Sequence, residues 1–193
     1  MTFPNETLPK GRRQKTTSIY DRLIKKGAVM GDSFGLESAL WFAKNEKDAH
    51  EEPTFKRSRS HNYIAQEIEA VRTAVGATEI ANFAKHEFKG PESRKFLDHI
   101  LAGKLPKPGR ISLSPMLTYR GKLYGDLTVA CLEENEFMVF GSGAAQEMHR
   151  RWFETHMGKF NLSYKNRSDE LHGIGIAGPK SRDLLQKIVR EDI

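Results

Sequence analysis

One cysteine, Cys131, in 193 residues excludes an internal disulfide and a cysteine metal cluster. Its place in an alternating apolar run predicts a buried structural thiol. No apolar run approaches the roughly 18 residues a membrane-spanning helix needs, so no membrane partner is expected. The start, MTFPNETLPKGRRQKTTS, has basic residues but no apolar stretch, unlike a secretory signal. These absences predict a reducing compartment, the bacterial cytoplasm or, in a eukaryote, the mitochondrial matrix. No Lys/Arg stripe interleaves with aromatics and no nucleic-acid motif is present, so no nucleic-acid partner is expected. Gly141-Ser142-Gly143 lacks the third glycine of a dinucleotide fingerprint and reads as a tight turn. His86 has no second histidine at ligand spacing and reads as a surface strand residue.

What is present is a basic chain, net charge +6, which favours anionic ligands. The 38% hydrophobic content suffices for a core, and the polarity gathers near the N-terminus. Residues 1–17 read as a disordered arm. Ser18 and Gly27 bracket a short helix, followed by an apolar strand over 28–30. Residues 31–43, GDSFGLESALWFA, read as a Gly-punctuated loop pinned by Trp41 and Phe42. Residues 44–60 read as an exposed linker. A helix carries Ile64, Ile68 and Val71 and ends at Gly76, and two short strands fill 77–89. Gly90-Pro91-Glu92 opens a helix ended by Gly103. A strand holds Phe137 and Val139, and a helix over 144–157 turns Met148, Trp152 and Phe153 inward. HEFKGPESRKFLDHIL at 86–101 echoes IGIAGPKSRDLLQKIV at 174–189, which predicts a repeated strand, Gly-Pro and helix.

The most informative stretch is SLSPMLTYRGKLYGDLTVACL, residues 112–132. It reads as a β-hairpin turning at Arg120-Gly121, with Leu127, Val129 and Cys131 alternating with Thr128 and Ala130. Asp126 interrupts the apolar run just after Gly125. A carboxylate there is either a strand-end group in solvent or a functional one. Gly125 leaves space for something to approach the backbone. Asp126 is therefore expected at the mouth of a concave pocket, with apolar groups of 111–117 opposite.

PMLTYRGKLYGDLTVA resembles the hairpin of the aminomethyltransferase (glycine-cleavage T-protein) family, and more closely the T-protein-like half of dimethylglycine and sarcosine dehydrogenases. The second Asp of that family's paired aspartates is matched by Asp126, and the first is replaced by Gly125, as in the dehydrogenase branch. YDRLIKKGAVMGDSFGLESALWFA is similar to the segment joining the flavin-binding and T-protein-like halves, with Gly35, Glu37, Trp41 and Phe42 matching. Ser38-Ala39 replaces that segment's Arg-Pro. Glu67, Ala70, Val71, Arg72, Val75, Gly76, Phe83 and Lys85 match a further run, and His149 and Trp152 match the helix after the GSG turn.

The resemblance implies an α+β fold: a connector over 18–60 resembling the central segment of FAD oxidoreductases, then the first part of a T-protein-like folate-binding domain over 61–193. It implies folate-dependent one-carbon (aminomethyl) transfer with tetrahydrofolate, Asp126 being catalytic and Leu113, Met116 and Thr128 shaping the pterin side. FAD is expected only in a full-length parent, so a flavin-binding domain or subunit is an expected partner beside folate. Full-length relatives continue further and carry a Glu and an Arg on the pterin and glutamate tail that have no counterpart here, as expected of a fragment inactive alone. Leu113 stands where the family commonly has Tyr. These departures favour the alternative, a non-catalytic binding or assembly module that keeps the fold; the retained Asp126 opposes it.

Overall fold

The computed structural model describes residues 8–193; the first seven residues of the expected arm lie outside them. The chain divides into two units, one running to Ile80 and including His172–Ile193, the other Ala81–Leu171.

In the first unit, helix α1 (Tyr20–Lys25) leads through Gly27 into β1 (Ala28–Ser33), which pairs antiparallel with β2 (Leu36–Phe42). Residues 31–43 are thus largely strand, not loop. Phe34 and Gly35 both have positive φ, 53° and 88°, giving a two-residue turn whose twist suits a hairpin. Gly31 is also no loop signal: Leu40 packs over it so closely that a Cβ would lie 2.8 Å from a methyl carbon. Trp41 is buried and stacks on Tyr63 at 5.1 Å. Tyr63 belongs to α2 (Ser60–Thr73), whose Glu67 accepts a hydrogen bond from the Phe42 amide at 2.9 Å.

Residues 8–17 correct the expectation of a free arm. Lys15 bridges Leu36, and Arg12 donates to the buried Glu37 carboxylate and to the Met30 carbonyl. A buried carboxylate needs such a cation. Residues 44–60 are mostly exposed but tied down, Arg59 pairing with Asp48 and Glu52 and the Tyr63 hydroxyl donating to Asp48. Gly76 starts β3 (Gly76–Glu79), which pairs antiparallel with β9 (Ile174–Ala177); α5 (Ser181–Gln186) follows.

The second unit is one antiparallel sheet with helices on one face. Its strands are β4 (Phe83–Lys89), β5 (Arg110–Leu117), β6 (Leu123–Glu133), β7 (Glu136–Ser142) and β8 (Ser163–Asn166), in the order β5-β6-β7-β4-β8. Helices α3 (Ser93–Ile100) and α4 (Gln146–Met157) supply Phe96, Leu97, Ile100 and Phe153 to a core with Phe88, Met116, Leu127, Val129, Cys131, Phe137 and Val139. The period-two burial of β6 puts Leu127, Val129 and Cys131 inward, as the alternation predicts. Cys131 is a buried free thiol. Its sulfur accepts from Arg94 at 3.2 Å and donates to the Glu133 carbonyl at 3.1 Å.

The internal repeat is real at the level of local structure. β4 and β9 are each followed by a glycine of positive φ, Gly90 at 136° and Gly178 at 124°, then Pro and a helix opened by Ser-Arg. Ser93 and Ser181 each return an amide hydrogen bond to that glycine's carbonyl at 3.0 Å.

Candidate functional site

Two faces of the β5–β6 hairpin separate the expected site residues. Directly opposed residues of an antiparallel pair share a face. Leu113 opposes Thr128 and Pro115 opposes Asp126, so Leu113, Pro115, Asp126 and Thr128 stand together on the face away from the helices. Phe140 of β7 continues the row beyond Thr128. Met116 opposes Gly125 on the other face and is fully buried in the core, so it does not join them.

On the outer face Asp126 is exposed, with no hydrogen-bond or ion-pair partner among the described residues. Its neighbours toward the β5 edge are apolar and open: Leu113 is 72% exposed and Ile111 68%. Pro115 and Leu113 are the 111–117 groups facing Asp126, but they form a flank on an open sheet, not the far wall of a pocket. A groove elsewhere in the unit, lined by Pro91, Arg94, Lys95, Asp98, Lys104 and Asn135, has most of its positive charge committed. Arg94 pairs with Glu134 and Lys95 with Glu92. Among the described residues no group of three or more His, Cys, Asp or Glu side chains is placed to hold a metal ion.

The space opened by Gly125 is already filled, from the core side. The imidazole of His149, on α4, lies against Gly125 and Gly141 on adjacent strands. A Cβ at Gly125 would fall 2.8 Å from His149 Nε2, and one at Gly141 2.9 Å from Nδ1. Sequence reading placed His149 on the right helix but not in this seat; the signal was its i, i+4 spacing to Phe153, the other buried residue of α4.

His86 is a second correction. It is fully buried, not at the surface, because β4 lies between β7 and β8 and its inner face is covered by α4. Its Nδ1 shares a hydrogen bond of 2.9 Å with the Tyr164 hydroxyl, and its ring packs edge-on to Phe153 at 5.0 Å. Burial, with His149 nearby, pushes His86 down to about 4. Burial also lowers His149, and the Tyr124 carbonyl offsets that only in part. That carbonyl lies outside hydrogen-bond geometry, so both His149 nitrogens, like His86 Nε2, are buried without a partner. Burial raises the Tyr164 phenol above its ordinary value. Tyr124, the extra residue where the β5–β6 register slips, packs against Trp152 of α4 with ring centroids 4.4 Å apart, tilted by 34°.

Known proteins share this architecture. The model of the GCVT N-terminal domain matches residues 19–193, a range that takes in most of the 18–60 segment as well as the hairpin. The chain is 35% identical to human mitochondrial dimethylglycine dehydrogenase over 99% of its own length and 22% of the relative's. It is 25% identical to an aminomethyltransferase of Thermotoga sp. (strain RQ2), covering 93% of this chain and 44% of that protein. The chain thus spans between a fifth and a half of these relatives. The crystal structure of glycine cleavage system aminomethyltransferase T from Bartonella henselae superimposes with a TM-score of 0.71 at 19% identity, over 90% of this chain and 43% of that one, which establishes a common fold. The chain belongs to the GCVT N-terminal domain family.

Proposed function

We propose that this chain supplies the Asp126 face of a tetrahydrofolate site for one-carbon (aminomethyl) transfer, as part of a dimethylglycine or sarcosine dehydrogenase-like enzyme. One observation carries the reading: Asp126 is an exposed carboxylate, unpartnered among the described residues, on an interior strand of the sheet, beside an open apolar row. That row fits the flat, amphipathic body of a pterin. Leu113 and Pro115 offer apolar contact and the Thr128 hydroxyl a polar one, while Met116 acts from the core by filling the space beside Gly125. Bound tetrahydrofolate would supply the nitrogens that carry the one-carbon unit. The Asp126 carboxylate accepts a hydrogen bond from an amine N–H, can take up that proton, and stabilises positive charge developing nearby. FAD chemistry belongs to a flavin-binding domain or subunit acting with this chain, in keeping with its similarity to dimethylglycine dehydrogenase.

The test is calorimetric titration of the chain with 5-formyltetrahydrofolate. Wild type is expected to bind weakly, with a Kd on the order of 0.1–1 mM. Asp126→Asn, which loses a charged acceptor, is expected to weaken binding about 10- to 100-fold. Absence of binding by wild type, or equal binding by the variant, overturns the proposal. A second reading, a binding or assembly module without chemistry, draws on the exposed Ile111 and Leu113. It predicts that partner association survives Asp126→Asn and fails with Leu113→Asp.

A further inference from the structure

The seat of His149 is costly for a core. Glycine weakens a strand interior, and two glycines on adjacent strands, Gly125 and Gly141, are needed to admit the ring. The ring is 2% exposed and leaves both nitrogens without partners, each a net destabilisation in a buried site. A leucine over two alanines would fill similar space with no polar penalty. Stability alone does not account for the arrangement, and local rules are broken in this way where function asks for it. What the ring touches is the backbone one residue before Asp126.

We propose that His149 is a positioning residue for Asp126: its imidazole, seated against the α-carbons of Gly125 and Gly141, fixes the backbone from which the Asp126 carboxylate projects on the opposite face. The proposal rests on the folate reading for its purpose, but its mechanical content stands apart from it. Successive strand residues point to opposite faces, so a displacement of Gly125 by the ring is a displacement of Asp126 away from it. The adjoining core leaves no slack: Met116 Cε would lie 3.3 Å from a Cβ at Gly125, and Leu127 Cδ2 2.9 Å from one at Gly141.

The seat holds the neutral ring. β6 and β7 meet it with the α-carbons of Gly125 and Gly141, neither of which titrates, and the Tyr124 carbonyl of β6 favours the charged ring only enough to offset part of the burial. His86 faces it from β4, with Tyr164 of β8 behind His86. Glu147, Arg150 and Glu154 of α4 act on the His86–Tyr164 pair electrostatically. No carboxylate bonds the His149 ring, so its protonation puts an uncompensated charge against the strand and loosens the seat.

The test follows the Asp126 amide and the His149 ring by NMR on the full 193-residue chain from pH 8 to 4, with 5-formyltetrahydrofolate titrations in parallel. The Asp126 amide is expected to show a step at the midpoint of the His149 ring, and His149→Gln to abolish that step. Gly125→Ala is expected to move the Asp126 resonance and weaken folate binding by at least about tenfold. The paired change Gly125→Ala with His149→Ala, which removes the ring that the new methyl meets, is expected to restore binding to within about threefold of His149→Ala alone. If the wild-type Asp126 amide ignores the His149 midpoint, or Gly125→Ala leaves it in place, the positioning role is wrong. Should wild type bind no folate, the folate reading falls while the amide measurements still decide this one. Should His149→Gln fail to fold, the wild-type titration and Gly125→Ala decide it.

Discussion

The two buried histidines make acid sensitivity a property of single residues. His86 titrates at about 4 in the folded chain and near 6.5 when unfolded. Between those values the unfolded state holds more protons, so the His86 contribution to stability is whole above about pH 6.5 and is lost as the pH falls toward 4. The full loss is about 3 kcal/mol, and His149 is displaced in the same direction. Urea unfolding midpoints are expected to fall steeply between pH 6.5 and 4.5 in wild type and less steeply in His86→Phe; identical slopes would show that His86 does not titrate on unfolding. None of this was legible in the chain. The residues Ala84, Lys85 and His86 are buried in succession, and a run of consecutive buried residues carries no alternation to read. Asp126 was legible because a carboxylate among Leu127, Val129 and Cys131 breaks a pattern. Gly125 was legible only as a vacancy, since nothing local says that the ring of His149, 24 residues further along the chain on α4, would fill it.

Elements with their own punctuation were the easiest to read. The β5–β6 hairpin, the helix after Gly90-Pro91 and the repeated Gly-Pro joint all follow from short-range signals, and all are present. β2 was missed because LESALWF does not alternate, and its burial does not alternate either. The joint itself gives a graded test within one unit. Gly90 has φ 136°, and a Cβ there would lie 2.9 Å from the Leu162 Cα and 3.1 Å from the Asn161 carbonyl oxygen. Gly109 also has positive φ, 74°, but a Cβ would meet nothing within 4 Å. Gly109→Ala is therefore expected to cost only the left-handed backbone penalty, about 1–2 kcal/mol. Gly90→Ala adds a clash with backbone that cannot rotate away and is expected to cost roughly 3–5 kcal/mol. Chemical denaturation of the two variants checks the order; a milder effect at Gly90 than at Gly109 would mean that the 161–162 segment yields.

At the scale of the whole chain, the two units differ in how they are drawn from the sequence. Ala81–Leu171 is continuous, and the residues of its core cluster, from Phe88 to Phe153, all belong to it. The other unit joins both ends: β3 near residue 78 finds its ladder partner in β9 near residue 176, the Ile80 amide donates to the Gly173 carbonyl at 2.9 Å, and the Lys180 amide to that of Ala74 at 2.9 Å. Sequence reading drew its boundary at residue 61, where a helix begins. A pairing across about a hundred residues has no local signature, and only the repeat of the Gly-Pro joint hinted that 174–189 was a structured partner. Folding should follow this division, since long-range ladders close late and open first. A chain ending at Leu171 is expected to keep dispersed amide resonances for the β4–β8 sheet and slow exchange at Phe88, Val129 and Val139. Gly76–Glu79, deprived of β9, should lose their protection and exchange at rates near those of an unstructured peptide. Collapse of the sheet resonances in that shortened chain would show that the Asp126 face depends on the distant terminus as well as on its own core.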